Sequence, residues 1–219
     1  ESTVQEHTVQ PGMVYLSQPT ESGTLYSRAE LAAMHDVCKR YGLPLYIDGA
    51  RLGYALATPE NDVTLTDLAQ LADLFYIGGT KCGALFGEAL VIANPAYQRD
   101  FRYMIKQRGA LLAKGRLLGI QFDTLFAENR YVDICRRAVE QAAALREAFR
   151  GAGIPLFGQS PTNQVFPILT AAQAKALGEK YVYSIWGEAA DGRTVVRFCT
   201  SWATRPEDVA ALCRDIAAL

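Results

Sequence analysis

This sequence lacks most of the features that would place it quickly. No apolar run is long enough to span a membrane, and no signal-peptide pattern opens the chain. No lysine- or arginine-rich block occurs; Arg136-Arg137 is an isolated pair on a predicted helix, and the formal net charge is −1. That balance makes no case for a nucleic-acid or anionic-membrane surface. Only two histidines are present, His7 and His35, and neither has a partner at metal-site or triad spacing. The five cysteines, Cys38, Cys82, Cys135, Cys199 and Cys213, are odd in number and scattered, without a CxxC pair. A disulfide framework and a zinc site are therefore not expected, no metal is assigned, and a reducing compartment, the cytoplasm, is. There is no internal repeat and no low-complexity segment.

What is present is an ordinary globular composition: half of the 219 residues are hydrophobic and 21% are charged. A chain of this length can bury a sizeable core. Met13 to Leu16, Leu45 to Ile47 and Leu74 to Ile77 read as short buried strands, and Ala89 to Ala93 as a fourth. Between them, Ser27–Glu30 is a capping box opening a helix with Leu31, Met34, Cys38 and Tyr41 at helical spacing, closed by Gly42-Leu43-Pro44. Thr64 caps a second helix carrying Leu65, Leu68, Leu71 and Ala72. Strands alternating with helices predict a parallel sheet with crossovers, whose ligands lie beyond the carboxyl ends of the strands. Residues 101–126 are helical but interrupted by Gly109, Gly115 and Gly119, and residues 132–149 form an amphipathic helix. Strands at 165–169 and 195–199, a helix at 171–179 and a last helix behind a Thr204–Glu207 capping box make a small α/β tail.

Three ionisable groups fall on one rim of the predicted sheet. Asp48 ends an apolar strand, where a carboxylate serves either as a turn cap before Gly49 or as the partner of a cationic ligand. Arg51 three residues later suits a salt bridge or an anion. Lys81 follows Gly78 and Gly79 and precedes Gly83, so backbone can approach a ligand closely there. A lone lysine is most often a solvated surface group; beside Asp48 and Arg51 it reads instead as an amine presented to an aldehyde as a Schiff base. An aspartate for a pyridinium nitrogen and a lysine for an aldehyde, on neighbouring strand ends, describe a pyridoxal phosphate site. Cys82 reads as a packing residue, and the order of GGTKCGALFG does not suit a nucleotide-binding phosphate loop.

The stretch YIDGARLGYAL, Tyr46 to Leu56, resembles the Asp-Gly-Ala-Arg signature of the low-specificity L-threonine aldolases, within the β-eliminating lyase group of fold-type-I pyridoxal phosphate enzymes. Lys81 follows Asp48 by 33 positions, a spacing that fits that family. QPTESGTLYSRAEL, Gln18 to Leu31, and VVRFCTSWATRPEDV near the end are similar to its flanking segments. Many members have Ser-Lys-Gly where this chain has Thr80-Lys81-Cys82. The resemblance implies an α/β fold: residues 1–128 as the C-terminal part of the cofactor-binding large domain, and 129–219 as a small C-terminal α/β domain. It implies cleavage of threonine or allo-threonine to glycine and an aldehyde, with β-elimination, transamination, or a role only in binding or assembly as the alternatives. Lys81 is the expected catalytic and cofactor lysine, Asp48 the partner of the ring nitrogen, and Thr80 a phosphate contact. Arg51 lies near the cofactor and the substrate carboxylate, and Arg197 clamps that carboxylate. Lys114, or failing it Arg116, is expected to reach the phosphate of a neighbouring subunit in a homodimer or homotetramer. Family members also carry an N-terminal portion that is not among these 219 residues. The sequence is therefore expected to be part of a longer protein, and to associate or be poorly soluble alone.

Overall fold

The computed structural model describes residues 7–219. Among the described residues the first elements are β1 (Val14–Ser17), α1 (Arg28–Tyr41), β2 (Leu45–Asp48), α2 (Leu52–Ala57), α3 (Leu65–Leu71), β3 (Leu74–Ile77) and β4 (Ala89–Ile92). The capping box of α1 forms as expected: the Ser27 hydroxyl accepts from the Glu30 amide, and the Glu30 carboxylate accepts from the Ser27 amide at 2.8 Å. Thr64 and Asp67 repeat the arrangement at α3. Gly42 ends α1 at a φ of 65°, a left-handed turn that glycine adopts without steric cost.

The sheet runs β1-β2-β3-β4. Its first three strands are parallel, with Ser17 opposite Asp48 and Ile47 opposite Phe75. The fourth is antiparallel to β3, pairing Ile77 with Ala89. The physical reason lies in the connection: loop 78–88 carries no crossover helix, and a parallel return needs one. Lys81 therefore sits on a hairpin loop at the carboxyl end of β3.

Next come α4 (Phe101–Gln107), α5 (Arg116–Phe126) and α6 (Arg130–Gly151). The break between α4 and α5 includes Gly109 at a φ of 73°. The rest of the chain is β5 (Gln164–Val165), β6 (Ile168–Leu169), α7 (Ala171–Gly178), β7 (Ser184–Glu188), β8 (Thr194–Cys199) and α8 (Pro206–Ala217). Three expectations need correction here. The single strand expected at 165–169 is two short ones, separated by Phe166 and Pro167; proline has no amide to give a ladder. β7 was not anticipated, because four of its five residues are exposed and no alternation marks it. No Thr204–Glu207 capping box forms: Pro206 takes the first turn of α8, Arg205 becomes its cap residue, and the Thr204 hydroxyl accepts instead from the Ser201 amide at 2.8 Å.

Two buried clusters hold the chain together. One packs Leu31, Leu45, Ile47, Leu52, Leu68 and Phe75 around the parallel sheet; the other packs Phe149, Leu169, Val196 and Ile216 in the tail. Each fully buried side chain of this size contributes about 1.5–3 kcal/mol. Helix α6 belongs to both, with Tyr131 to Val139 in the first cluster and Ala142 to Phe149 in the second. Among the described residues no helix is long and apolar enough to cross a membrane.

Candidate active site

Strands β2 and β3 end side by side, and the turns that follow them touch through backbone. The Gly78 amide donates to the Gly49 carbonyl at 2.8 Å. A Cβ on Gly49 would lie 2.0 Å from the Tyr76 carbonyl oxygen, and one on Gly78 would lie 2.3 Å from that of Ala50. Only glycine permits these approaches, and they bring the Asp48 turn and the Lys81 turn into one place. Gly49→Ala is expected to destabilise the fold by about 1–3 kcal/mol or more, the scale of an overpacked contact that must move backbone. A fall in the urea midpoint at unchanged slope is the reading that checks it.

Asp48 accepts from the Ala50 amide at 2.8 Å through Oδ1 and from the Tyr15 hydroxyl through Oδ2. Burial alone would raise its pKa. The hydroxyls of Tyr15 and Tyr76, the Ala50 amide and the charge of Lys81 outweigh that and hold the carboxyl below its ordinary value. The same hydrogen bond, with burial behind it, pushes Tyr15 up to about 12. Tyr15, Tyr46 and Tyr76 form a row across the three parallel strands, with Tyr15 stacked on Tyr46 at 5.4 Å and Tyr76 tilted against Tyr46 at 6.3 Å. This row was not foreseen from the sequence, because Tyr15 and Tyr46 are brought side by side only by the parallel register of β1 and β2.

Lys81 is exposed at its side chain and held at its backbone, where the carbonyl accepts from the buried Tyr54 hydroxyl. The Tyr131 hydroxyl donates to the Gly78 carbonyl at 2.8 Å and accepts from the Gly53 amide at 3.1 Å. Cys82 is fully buried behind the lysine, as its packing assignment requires. Beside it, the hydrogen bond to Cys82 together with burial pushes the Cys135 thiol up. The Thr80 hydroxyl donates to Glu88 Oε1 at 3.3 Å.

Arg51 is 14% exposed and pairs with Glu21 at 3.5 Å, in the segment between β1 and α1. Gln164 Nε2 holds the Glu21 carbonyl at 3.1 Å, which ties that segment to the tail. Arg197 lies on β8 with its guanidinium over the Trp186 ring at 5.1 Å, and its buried Nε has no hydrogen-bond partner among the described residues. Two positions on, Cys199 turns its thiol toward Gln164 Oε1 at 3.8 Å. Arg197, Arg51, Glu21 and Lys81 all act electrostatically on that thiol. The fold thus brings Asp48, Arg51, Lys81 and Arg197 to one region. Lys114 and Arg116 stand elsewhere, exposed around the start of α5 and without an ion pair among the described residues. Among the described residues no cluster of histidine, cysteine, aspartate and glutamate is placed to hold a metal.

A profile of the beta-eliminating lyase family matches residues 1–199. The chain belongs to that family. Similar members are two low specificity L-threonine aldolases. That of Pseudomonas aeruginosa is 34% identical over 96% of this chain and 60% of its own. That of a Pseudomonas species is 32% identical over 97% of this chain and 61% of its own. The structure of Leishmania major threonine aldolase superposes with a TM-score of 0.94 at 43% identity, covering 97% of this chain and 62% of that one. The mixed α/β fold with its mostly parallel sheet is therefore that of the threonine aldolase scaffold, a fold-type-I architecture. This member of the lyase family spans about three-fifths of the length of these relatives.

Proposed function

We propose that this chain carries the lysine, the aspartate and the carboxylate-binding arginines of a pyridoxal-phosphate-dependent aldolase. The reaction splits a β-hydroxy-α-amino acid, threonine or allo-threonine, into glycine and an aldehyde. The observation that carries this reading is the joining of the Asp48 turn to the Lys81 turn, through Gly49 and Gly78, at the ends of adjacent parallel strands.

The residues fit the cofactor. Asp48 is a carboxylate held below its usual pKa, so it is charged at neutral pH. Of its roughly four acceptor positions, the Tyr15 hydroxyl and the Ala50 amide take one on each oxygen, which leaves acceptor capacity for a protonated ring nitrogen. Lys81 offers an exposed amine on a fixed backbone. Pyridoxal phosphate, when bound, supplies a sink for the electron pair released at the substrate's α-carbon. Arg51 and Arg197 are the groups that grip the substrate carboxylate: among the described residues Arg197 has a buried Nε without a partner, and Arg51 pairs with the exposed Glu21. A guanidinium fork matches a carboxylate in shape as well as charge. When Cα–Cβ breaks, the β-hydroxyl loses a proton and the α-carbon gains one.

Assembly with a second copy belongs to the same reading. Leu112, Leu117 and Ile120 are each more than half exposed around Lys114 and Arg116, a combination of apolar surface and cation suited to a subunit contact that reaches a neighbour's phosphate. The test of the reaction is incubation of the cofactor-loaded, full-length protein with L-threonine and with L-allo-threonine. Glycine and acetaldehyde are expected in equal amounts. Ammonia with a 2-oxo acid, or no turnover from a folded and loaded protein, would overturn the aldolase assignment.

A further inference from the structure

The ladder between β3 and β4 ends at Ile77 and Ala89. One step further out, the side chain of Glu88 continues the pairing that the backbone gives up. Glu88 Oε2 accepts from the Gly79 amide, and Oε1 accepts from the Thr80 hydroxyl at 3.3 Å. These are the two residues immediately before Lys81. Gly79 is buried, so its amide requires a partner. No side chain on Gly79 could supply one locally, because a Cβ there would lie 2.2 Å from the Gly87 carbonyl oxygen. The Gly79 carbonyl is itself the hub of the turn, accepting from the amides of Cys82 at 2.9 Å and Ala84 at 3.0 Å. A carboxylate that fixes Gly79 therefore fixes both ends of the turn from which the lysine projects.

We propose that Glu88 is the positioning residue of Lys81. Its carboxylate sets the direction in which the amine leaves the loop by clamping the Gly79 amide and the Thr80 hydroxyl. The inference rests on the reading of Lys81 as the cofactor lysine. Glu88 acts through hydrogen-bond geometry, so a glutamine, which keeps one acceptor on a side chain of the same length, replaces it far better than an alanine. A charge-assisted bond to a buried amide is among the stronger ones a side chain makes, and its loss should be visible in local opening.

The test compares the parent with Glu88→Ala and Glu88→Gln. In cofactor-free protein, hydrogen exchange of the Gly79 amide is expected to rise about tenfold or more in Glu88→Ala and about threefold or less in Glu88→Gln. The proteins are then treated with pyridoxal phosphate and borohydride, and the pyridoxyl label is mapped. The share of label on Lys81, relative to exposed Lys39 and Lys180 in the same molecule, should drop about fivefold or more in Glu88→Ala and recover in Glu88→Gln, at unchanged circular dichroism. General destabilisation would not shift label between lysines of one molecule. Should Glu88→Ala not fold, Glu88→Asp, with the charge on a shorter arm, takes its place with the same expected loss. Parent-like exchange and labelling in Glu88→Ala would overturn the proposal, as would equal losses in Ala and Gln. If the parent itself takes no label on Lys81, it is the cofactor reading that falls, and the exchange comparison still decides whether Glu88 holds the turn.

Discussion

Lys81→Ala should leave the protein folded and remove the borohydride-fixed pyridoxyl label from this site altogether. The side chain is exposed, and the contact that secures the residue, the Tyr54 hydroxyl on its carbonyl, belongs to the backbone. Replacing an exposed side chain away from buried networks changes stability by about 0.5 kcal/mol or less, so a lost label would report lost chemistry and not lost structure. Aldol cleavage should fall to background in the same protein, because the substitution removes the amine that the loop after β3 presents. The remaining lysines provide the comparison. Aldol cleavage that persists in Lys81→Ala, or a label that in the parent spreads evenly over Lys39, Lys106 and Lys114, would remove Lys81 from the chemistry.

Replacing Asp48 should produce the second large effect. Asp48→Ala is expected to lower turnover by about 10²–10³-fold, the scale of losing one preorganised electrostatic partner. Asp48→Asn should be nearly as slow, although it can still accept from the Ala50 amide at Oδ1. The comparison isolates charge from turn geometry. Burial works against this carboxylate, yet hydrogen bonds from Tyr15, Tyr76 and Ala50 and the charge of Lys81 bring its pKa below the ordinary value. A carboxyl whose folded pKa is depressed contributes stability that is present above its unfolded value and is lost as pH falls through the folded one. Cofactor retention by the parent should accordingly persist to pH values below the usual carboxylate range and then collapse. An Asp48→Asn protein that turns over like the parent, or a parent that releases the cofactor near neutrality, would count against Asp48 as the partner of the ring nitrogen.

The parts of this molecule that could be read from the chain are those where local chemistry decides the outcome. The caps at Ser27 and Thr64 formed because the partner lies three residues away on the same turn. Thr204 followed the same spacing and failed, because Pro206 dictates where α8 begins. The buried strands were visible as apolar runs, whereas β7, exposed along most of its length, carries no such mark. Asp48 and Lys81 could be paired because each lies where an apolar strand stops beside glycine. Glu88 and Tyr15 could not: their partners are set by a hairpin and by parallel register, and neither leaves a periodic trace. The antiparallel turn of β4 was likewise invisible in a run of apolar residues that suits either direction.

The glycine contact between the two turns also separates the site from the length of chain that joins its halves. Asp48 and Lys81 are held together by Gly49 and Gly78, not by the α2–α3 stretch that lies between them in sequence. That stretch includes Pro59 and Glu60 in an exposed connection. Residues added there would lengthen a surface excursion while the carboxylate and the amine kept their distance, because long insertions in exposed loops add little closure entropy. In engineering terms, the loop at 59–60 is a port into which a foreign segment can be grafted without retuning the two groups it connects.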